Sequence, residues 1–412
     1  MKPYGLLGRK LSHSISPEIH SLLCDYRYVL FEKEPEELDE FFEKREFSGL
    51  NVTIPYKKDV VKYCSDLSPE AKRIGSVNTI TIKADGTLYG DNSDYFGFAY
   101  MIEKSGIEIK NKTVMVLGTG GASLTVKAVV EDMGAKEIIS VSRTGKVNYD
   151  NVYEYGYADV IVNTTPVGMY PHNGERLIDL SGFHNLSGVL DLIYNPALTP
   201  LLYDAQKLGI KYANGLTMLV AQAHMSAEKF IKNTIPSEKI ESVTDYLTAL
   251  RKNIVLIGMP GCGKSTISQL LGMAFSREVV DTDSLVVHNE GRSIPEIFSS
   301  EGEAYFRKAE TDAVAQCTKK SSLVIATGGG AVMKEENRYY LKQNAVVVWL
   351  KRDYQKLAVE GRPLSHNITA IKEMEAERVP VYSSLADIQI DVDDAPEVTL
   401  SKIIDALKGA VL

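Results

Sequence analysis

The sequence has few cysteines, no long apolar run and no block of like charges, and each absence narrows the class of protein. Its four cysteines, Cys24, Cys64, Cys262 and Cys317, are scattered and form no metal-type pair, so we expect reduced thiols in a cytoplasmic protein. No apolar run approaches the length that crosses a bilayer, and the N-terminus enters an apparent strand without a signal-peptide apolar region. We therefore expect no membrane partner.

The charge and the composition restrict the class further. A net charge of -8 and a pI near 5.6 argue against a nucleic-acid partner. Hydrophobic content of 44% and charged content of 24% are typical of a soluble globular protein. A chain of 412 residues is too long for one ordinary core, so two or three domains are expected. The sequence is compatible with an oligomer but specifies none.

Two glycine-rich loops of different design follow apolar runs. The first is Gly118-Thr-Gly-Gly-Ala-Ser123 and the second is Gly258-Met-Pro-Gly-Cys-Gly-Lys-Ser265. In both, backbone amides and the N-terminus of the next helix can hold a phosphate. The first suits a dinucleotide pyrophosphate. The second is a complete Walker A loop, with Lys264 for the phosphates and Ser265 for Mg²⁺. The pair predicts a redox enzyme and a phosphotransferase in one polypeptide.

Strands and helices alternate along almost the whole chain, which predicts an α/β protein with parallel sheets covered by helices on both faces. We expect one α/β unit over residues 1–103, completed by helices in 215–250. A Rossmann-like dinucleotide unit over 104–214 and a P-loop unit with a parallel sheet over 252–412 complete the chain. Only Arg251-Lys252 joins the last unit to the others, so each half is expected to fold and work alone.

An arginine after the second strand of the dinucleotide unit bears on the choice of cofactor. Ser142-Arg143-Thr144 stands where an acid would bind the ribose of NAD, and an arginine there accommodates the 2′-phosphate of NADP. The alternative is a solvated loop charge. Ser123 replaces the third glycine of the loop, and the strand before it and the helix after it support the motif. We predict NADP.

Polar groups follow the strands of the first unit. Ser16-Pro17 is a good helix start with Ser16 as N-cap, and the Ser14 and Ser16 hydroxyls there suit a small carboxylate or simply cap the helix. Asn51 to Lys57, Ile74 to Ile80 and Gly90 to Asp94 put ionisable groups at strand ends, where open α/β sheets form sites. If Lys57 and Asp94 lie together, they can exchange a proton with a substrate oxygen.

On these motifs, about residues 1–250 resemble shikimate dehydrogenase. The resemblance implies NADPH-dependent reduction of 3-dehydroshikimate to shikimate, with Lys57 and Asp94 as the catalytic pair. It implies a shikimate-binding domain over 1–103 with 215–250, and an NADP-binding domain over 104–214. The implied substrate contacts are Ser14, Ser16, Asn51, Thr53, Asn78, Tyr194 and Gln222. The implied cofactor contacts are Gly118, Gly120, Gly121, Ala122, Ser123, Ser142, Arg143, Thr144, Thr164 and Gly215. The segment from Ser142 to Ala158 is short for the family, which abbreviates the adenosine side of this site.

The third unit carries acids and arginines suited to phosphoryl transfer. Asp281 and Asp283 at spacing two point to the same side of a strand, where one can assist Mg²⁺ and the other can receive a hydroxyl proton. Arg307, Arg362 and Arg378 can converge on an anionic substrate and on the phosphoryl group. Each arginine taken alone is also compatible with a surface salt bridge.

This set is similar to shikimate kinase over about residues 252–410. The resemblance implies that Asp283 binds the substrate hydroxyls and acts as base. It also implies that Lys264 and Arg362 assist phosphoryl transfer and that Ser265 and Asp281 hold Mg²⁺. Glu310 is expected to orient Arg307. The stretch before Arg362 is shorter than in most members of the family. The implied ATP contacts are Gly258, Gly261, Cys262, Gly263, Lys264, Ser265 and Thr266. The implied substrate contacts are Asp283, Arg307, Gly328, Gly329, Gly330 and Arg378.

The two resemblances concern consecutive steps, which favours a bifunctional enzyme of aromatic amino acid biosynthesis that uses NADP(H), ATP and Mg²⁺. Three alternatives remain open at this point. The dehydrogenase could oxidise quinate or shikimate, the chain could be a nucleotide-sensing regulator without turnover, or the kinase could act on another small acid such as gluconate.

Overall fold

The structure is a computed structural model that describes residues 2–353, 355, 357, 368–392 and 395–410. Its contacts divide the chain into two compact units. The first unit comprises Met1–Met169, Glu175–Tyr194 and Thr199–Thr244, and the second comprises Tyr170–Gly174, Asn195–Leu198 and Asp245–Leu412.

The division falls inside a helix and not at Arg251-Lys252, where the sequence suggested a linker. The Arg277 guanidinium donates hydrogen bonds to the carbonyl oxygens of Lys252 at 2.6 Å and Ala249 at 3.3 Å. These bonds hold the last turn of the helix within the second unit, which therefore begins before the predicted boundary.

One sheet of the first unit has six strands in the order β2-β1-β3-β5-β6-β4. Its strands are β1 Tyr4–Gly8, β2 Tyr28–Glu32, β3 Gly49–Val52, β4 Asp66–Leu67, β5 Thr79–Ile82 and β6 Leu88–Asp91. This sheet is mixed, because β5 pairs antiparallel with both β3 and β6. A turn from Lys83 to Thr87 joins β5 to β6, and it is too short for the crossover that parallel strands need.

The other sheet of the first unit is wholly parallel, with the strand order β11-β10-β9-β7-β8. Its strands are β7 Thr113–Leu117, β8 Glu137–Val141, β9 Val160–Asn163, β10 Gly188–Asp191 and β11 Lys211–Ala213. Strands β7, β9 and β10 are buried throughout, as expected for strands covered on both faces.

Eight helices belong wholly or partly to the first unit as described. They are α1 Ser16–Leu23, α2 Leu38–Lys44, α3 Pro69–Ile74, α4 Ser93–Ser105, α5 Gly121–Asp132, α6 Pro200–Lys207, α7 Leu216–Ile231 and α8 Glu238–Arg251. Helices α4 and α7 pack closely, since a Cβ on Gly97 would lie 2.6 Å from the Met218 carbonyl oxygen. A glycine is therefore needed where the two helices meet.

The second unit is built on a parallel sheet in the order β13-β14-β12-β15-β16. Its strands are β12 Asn253–Ile257, β13 Val279–Asp281, β14 Val324–Ala326, β15 Ala345–Lys351 and β16 Ile388–Asp391. Its further helices are α9 Lys264–Phe275, α10 Thr282–Glu290, α11 Ile294–Thr318, α12 Glu335–Lys342, α13 Ile368–Leu385 and α14 Pro396–Ala410. Among the helices described in either unit, none has the length and apolar character needed to cross a membrane.

Two short segments far upstream in sequence complete the second unit. The Tyr170 hydroxyl lies 2.9 Å from the Gln343 side-chain oxygen, and the Asn173 amide donates to the same oxygen at 2.7 Å. The Ala197 backbone N–H donates to the Asn344 side-chain oxygen at 2.6 Å. Gln343 and Asn344 are both buried, so these bonds satisfy polar groups inside the unit.

Candidate active sites

Lys57 and Asp94 form a short ion pair in the first unit. Lys57 follows β3, Asp94 lies in the first turn of α4, and the Lys57 Nζ is 2.6 Å from the Asp94 Oδ2. The Lys57 carbonyl accepts a hydrogen bond from the Val77 N–H at 2.7 Å, which fixes the backbone beside the pair. The side chains are 29% and 16% exposed, so both remain accessible to a ligand. An ammonium held against a carboxylate can pass a proton to an adjoining oxygen.

Hydrogen bonds connect the amide side chains predicted to bind substrate. The Asn51 side-chain NH₂ donates to the Thr79 hydroxyl at 3.3 Å, and that hydroxyl lies 3.0 Å from the Ser93 hydroxyl. The Ser93 backbone N–H donates to the Asn78 side-chain oxygen at 2.7 Å, and its hydroxyl donates to the Gln222 side-chain oxygen at 3.3 Å. The structure therefore brings Asn51, Asn78 and Gln222 together through two buried hydroxyls.

Tyr28 orients the first of these amides, and no motif in the sequence pointed to it. Its hydroxyl donates to the Asn51 side-chain oxygen at 2.8 Å, which turns the Asn51 NH₂ group toward Thr79. Burial raises the pKa of the Tyr28 hydroxyl well above its usual value, so the group stays a neutral donor. The His20 ring stacks on the Tyr28 ring with a centroid separation of 3.9 Å. Burial lowers the pKa of His20 to about 3, so this imidazole is uncharged at neutral pH.

The N-cap assignment made for Ser16 is wrong. Helix α1 begins at Ser16 itself, and the N-cap is Ile15 without a side-chain cap. The Ser14 hydroxyl instead accepts from the Ser16 N–H at 3.3 Å and donates to the Ser16 hydroxyl at 3.1 Å. Thus the two hydroxyls lie together at the helix start. Thr53 follows β3, and Tyr194 follows β10 in a half-buried position.

A cavity of about 380 Å³ lies at the carboxyl ends of β7, β8 and β9. Five of the predicted cofactor residues line it: Gly118, Gly120, Ser142, Arg143 and Thr164. A Cβ on Gly120 would meet no atom within 4 Å, so the loop is open to a ligand at this point. That space beside the backbone of a helix N-terminus fits a pyrophosphate.

The other predicted cofactor residues do not line this cavity: Gly121, Ala122, Ser123, Thr144 and Gly215. Ser123 is buried, and its hydroxyl donates to the Gly120 carbonyl at 2.7 Å, so it closes the loop internally. A Cβ on Gly215 would lie 2.0 Å from the Leu192 carbonyl oxygen, which accounts for a glycine there by packing.

The second unit contains a cavity of about 720 Å³ at the carboxyl ends of its strands. Its lining includes most of the predicted kinase residues: Gly261, Gly263, Lys264, Ser265, Thr266, Asp281, Asp283, Arg307, Gly328, Gly329, Gly330 and Arg378. Gly258 and Cys262 do not line it. Arg362 lies outside the described residues, as does most of the shortened stretch before it.

The Lys264 side chain folds back onto the backbone of the Walker A loop. The Lys264 ammonium donates to the carbonyl oxygens of Gly258 at 2.9 Å and Met259 at 3.0 Å. Gly263 has φ +105°, and a Cβ there would meet no atom within 4 Å. A loop with left-handed backbone, open space beside it and a buried cation fits nucleotide phosphates.

Asp281 and Asp283 reach the cavity from different elements, so the strand-alternation argument for them was wrong. Asp281 ends β13 and caps α10, accepting from the Asp283 N–H at 3.0 Å, while Asp283 lies in the first turn of α10. The Ser265 hydroxyl donates to the Asp281 carboxylate at 3.1 Å. In the described parts of the chain no group of three or more His, Cys, Asp or Glu could hold a metal. The Ser265–Asp281 pair suits an ion that is also held by phosphates.

Two glycines, Gly328 and Gly330, leave room for charged side chains. A Cβ on Gly328 would lie 2.5 Å from the Asp283 Oδ1, and one on Gly330 would lie 2.6 Å from the Arg307 Nη1. Arg307 donates to Glu310 at 2.9 Å, which is the contact expected of these two. Burial raises the pKa of Glu310, although Arg307 opposes that effect. The glycines are therefore required by close approach of the groups around the cavity.

Arg352 was missed in the sequence, although it also lines this cavity. Its Nε is buried and has no hydrogen-bond partner among the residues that the structure describes. Its position just after β15, at the carboxyl end of a central strand, was the signal that could have found it.

This fold and these cavities define a dinucleotide-binding oxidoreductase fused to a P-loop phosphotransferase. The family model of the shikimate dehydrogenase substrate binding domain matches residues 6–80, and the family model of shikimate kinase matches residues 260–408. The chain is 40% identical over 248 residues to shikimate dehydrogenase (NADP(+)) of Clostridium beijerinckii, covering 55% of this chain and 91% of that protein. The chain belongs to the shikimate dehydrogenase family, and a shikimate kinase domain follows in the same polypeptide.

Solved structures agree with this assignment. A chorismate mutase/shikimate 5-dehydrogenase fusion protein from Clostridium acetobutylicum has a TM-score of 0.57 and 38% identity, covering 60% of this chain and 97% of that chain. Shikimate 5-dehydrogenase from Thermus thermophilus, in complex with NADP(H) and shikimate, has a TM-score of 0.54 and 27% identity, covering 60% and 99%.

Proposed function

We propose that the chain reduces 3-dehydroshikimate to shikimate with NADPH and then phosphorylates shikimate with ATP and Mg²⁺. The observation that carries this proposal is the Lys57–Asp94 pair in a chain whose second unit matches shikimate kinase. The product of the first reaction is the substrate of the second. A shared metabolite explains why these two domains occur in one chain.

In the dehydrogenase, bound NADPH supplies the hydride. Lys57 donates a proton to the carbonyl oxygen of the substrate as that oxygen becomes a hydroxyl, and Asp94 holds the ammonium in position. Asn51, Asn78 and Asp94 hold the substrate hydroxyls together with Thr53 and Lys57. Gln222 lies over the substrate, and Ser14 and Ser16 hold its carboxylate. These roles follow from the resemblance together with the hydrogen bonds that connect the three amides.

In the kinase, Asp283 accepts the proton of the attacking shikimate hydroxyl, and Lys264 stabilises the charge on the phosphates. Arg307 and Arg378 bind the substrate carboxylate, with Glu310 holding the Arg307 guanidinium. Ser265 and Asp281 would hold Mg²⁺, which neutralises phosphate charge when bound. Arg362 is assigned to the transferring phosphoryl group by resemblance alone. A cytoplasmic location also stays a prediction.

The test is incubation with 3-dehydroshikimate, NADPH, ATP and Mg²⁺, followed by detection of shikimate 3-phosphate. Omission of NADPH should stop product formation, and added shikimate should restore it. Nucleotide binding without turnover would contradict the proposal and support a regulatory protein. Faster oxidation of quinate than of shikimate would indicate an oxidising dehydrogenase, and preferential phosphorylation of gluconate would indicate a kinase for a different small acid.

A further inference from the structure

Tyr149 lines the cofactor cavity of the first unit, although neither the glycine loop nor the Ser142-Arg143-Thr144 motif includes it. It lies in the short connection between β8 and β9. The same cavity is lined by Gly120 of the loop and by Arg143 at the end of β8. The Tyr149 side chain thus adjoins the place where the motif predicts the adenosine end of the dinucleotide.

The connection that carries Tyr149 is held by several specific bonds. The Ser142 N–H donates to the Val147 carbonyl at 3.1 Å, which returns the chain to the end of β8. The Asn151 side chain donates to the Lys146 carbonyl at 3.1 Å and accepts from the Asn148 N–H at 2.8 Å. The Asn151 bonds join residues that precede Tyr149 in the sequence to one that follows it. A hydrogen-bonded turn therefore fixes the position of Tyr149, which does not lie in a long flexible loop.

Among the described residues that line this cavity, Arg143 is the one that carries a charge. A phosphate dianion carries more acceptor oxygens than one guanidinium can satisfy, so further neutral donors are required. Tyr149 is half-buried, and its burial raises the pKa of its hydroxyl while the nearby Arg143 charge opposes that effect. The phenol therefore keeps its proton at neutral pH and can donate it. Lys146 is exposed and does not line the cavity.

We propose that the Tyr149 hydroxyl, together with Arg143, binds the 2′-phosphate of NADP and determines the preference for this cofactor over NAD. This inference rests on the NADP dependence proposed above. It assigns a second specificity residue to the part of the chain that is short for the family. The Tyr149 hydroxyl donates the hydrogen bond, and the aromatic ring positions that hydroxyl.

The test is calorimetric titration of the whole protein with 2′,5′-ADP and with 5′-AMP, which differ at the 2′-phosphate. The kinase cavity is first saturated with Mg²⁺ and a non-hydrolysable ATP analogue, so that neither ligand binds there. Tyr149→Phe should weaken binding of 2′,5′-ADP by roughly tenfold or more, the range for a hydrogen bond to a charged group, and leave 5′-AMP binding unchanged. Tyr157→Phe is the matched control, because Tyr157 lies in the same connection, is exposed and does not line the cavity. Thermal unfolding of each variant checks that the fold is retained.

Two results would overturn the inference, and they can be told apart. If Tyr149→Phe binds 2′,5′-ADP as tightly as the unmodified protein, Tyr149 does not contact the 2′-phosphate while the NADP proposal stands. If the unmodified protein itself binds 2′,5′-ADP no better than 5′-AMP, the 2′-phosphate site is absent and both proposals fail.

Discussion

The Lys57 ammonium lies 2.6 Å from the Asp94 carboxylate, although 37 positions separate the two residues in sequence. Lys57 sits after a strand of the mixed sheet and Asp94 in the first turn of a helix, so the contact depends on the packing of both elements. Neither side chain is fully buried. The pair is thus positioned to act on a bound ligand.

Replacement of Lys57 should separate the two activities. Lys57→Ala removes the proton donor, so reduction of 3-dehydroshikimate should slow by about 10²–10⁴-fold. Phosphorylation of added shikimate should be unchanged. Both rates can be measured on one preparation, by NADPH absorbance and by ADP release. Lys58→Ala is the control, because Lys58 is adjacent and exposed. Loss of both activities in a folded Lys57→Ala protein would contradict the assignment.

Replacement of Asp283 should have the converse effect. Asp283→Asn keeps the size of the side chain but removes the base, so phosphoryl transfer should fall by about 10²–10⁴-fold while the dehydrogenase rate persists. Asp312→Asn, at an exposed position of the same unit, should leave both rates unchanged. A kinase rate for Asp283→Asn within about threefold of the unmodified protein would show that another group accepts the proton.

Arg143 should control cofactor preference. It lines the cofactor cavity, and a guanidinium can bind a 2′-phosphate in bidentate fashion. We expect kcat/KM to be higher with NADPH than with NADH, and we expect Arg143→Ala to narrow that gap. Lys146→Ala should leave the ratio unchanged, since Lys146 does not line the cavity. Equal efficiencies of the unmodified enzyme with both cofactors would refute the prediction.

His20 should make the first unit sensitive to acid. Its pKa is lowered to about 3 by burial, from an ordinary value of 6.5, so the unfolded chain binds a proton that the folded chain excludes. Stability therefore falls as the pH drops from 6.5 toward 3. Between pH 7 and pH 5 this group should cost about 2 kcal/mol of unfolding free energy.

The measurement is urea unfolding at both pH values for the unmodified protein and for His20→Phe, which keeps an aromatic ring against Tyr28. Circular dichroism follows the unfolding of both units. The single tryptophan, Trp349, belongs to the second unit, so its fluorescence shows which of the circular dichroism transitions is the unfolding of that unit. His20→Phe should lose less stability on acidification. Equal losses in the two proteins would exclude His20 as the cause.

A fragment of residues 245–412, which keeps the part of α8 that belongs to the second unit, should fold less stably than the same region in the whole chain. It lacks Tyr170, Asn173 and Ala197, which bond to the buried Gln343 and Asn344 side chains. Loss of partners for buried polar groups costs about 1–3 kcal/mol each. The urea midpoint of Trp349 fluorescence should therefore be lower in the fragment. Asn289→Ala in the whole chain, which removes an exposed amide, should leave that midpoint unchanged. Identical midpoints for fragment and whole chain would show that the two upstream segments add no stability.

Much of the fold could be read from the sequence, because it depends on local patterns. The apolar runs before the two glycine loops predicted β7 and β12, and both strands are buried along their whole length. Strands β5 and β6 were not predicted. They form an antiparallel hairpin in which β5 also pairs antiparallel with β3, and the pattern expected of parallel strands does not detect them. The start of α1 was misassigned by one residue, since the bond between Ser14 and the Ser16 N–H decides it.

By itself the sequence determined the chemistry, since a phosphate loop, a Lys–Asp pair and an acid with arginines are recognisable from residue type and spacing. Only the tertiary structure decided which groups meet and where the units divide. The roles of Tyr28 and Tyr149 depend on how deeply each side chain is buried and on the direction in which it points. Residue spacing along the sequence determines neither property. The inclusion of Tyr170–Gly174 and Asn195–Leu198 in the second unit depends on bonds to residues about 150 or more positions away. Such contacts follow from the packing of whole elements, because the side chains that make them carry no pattern of their own.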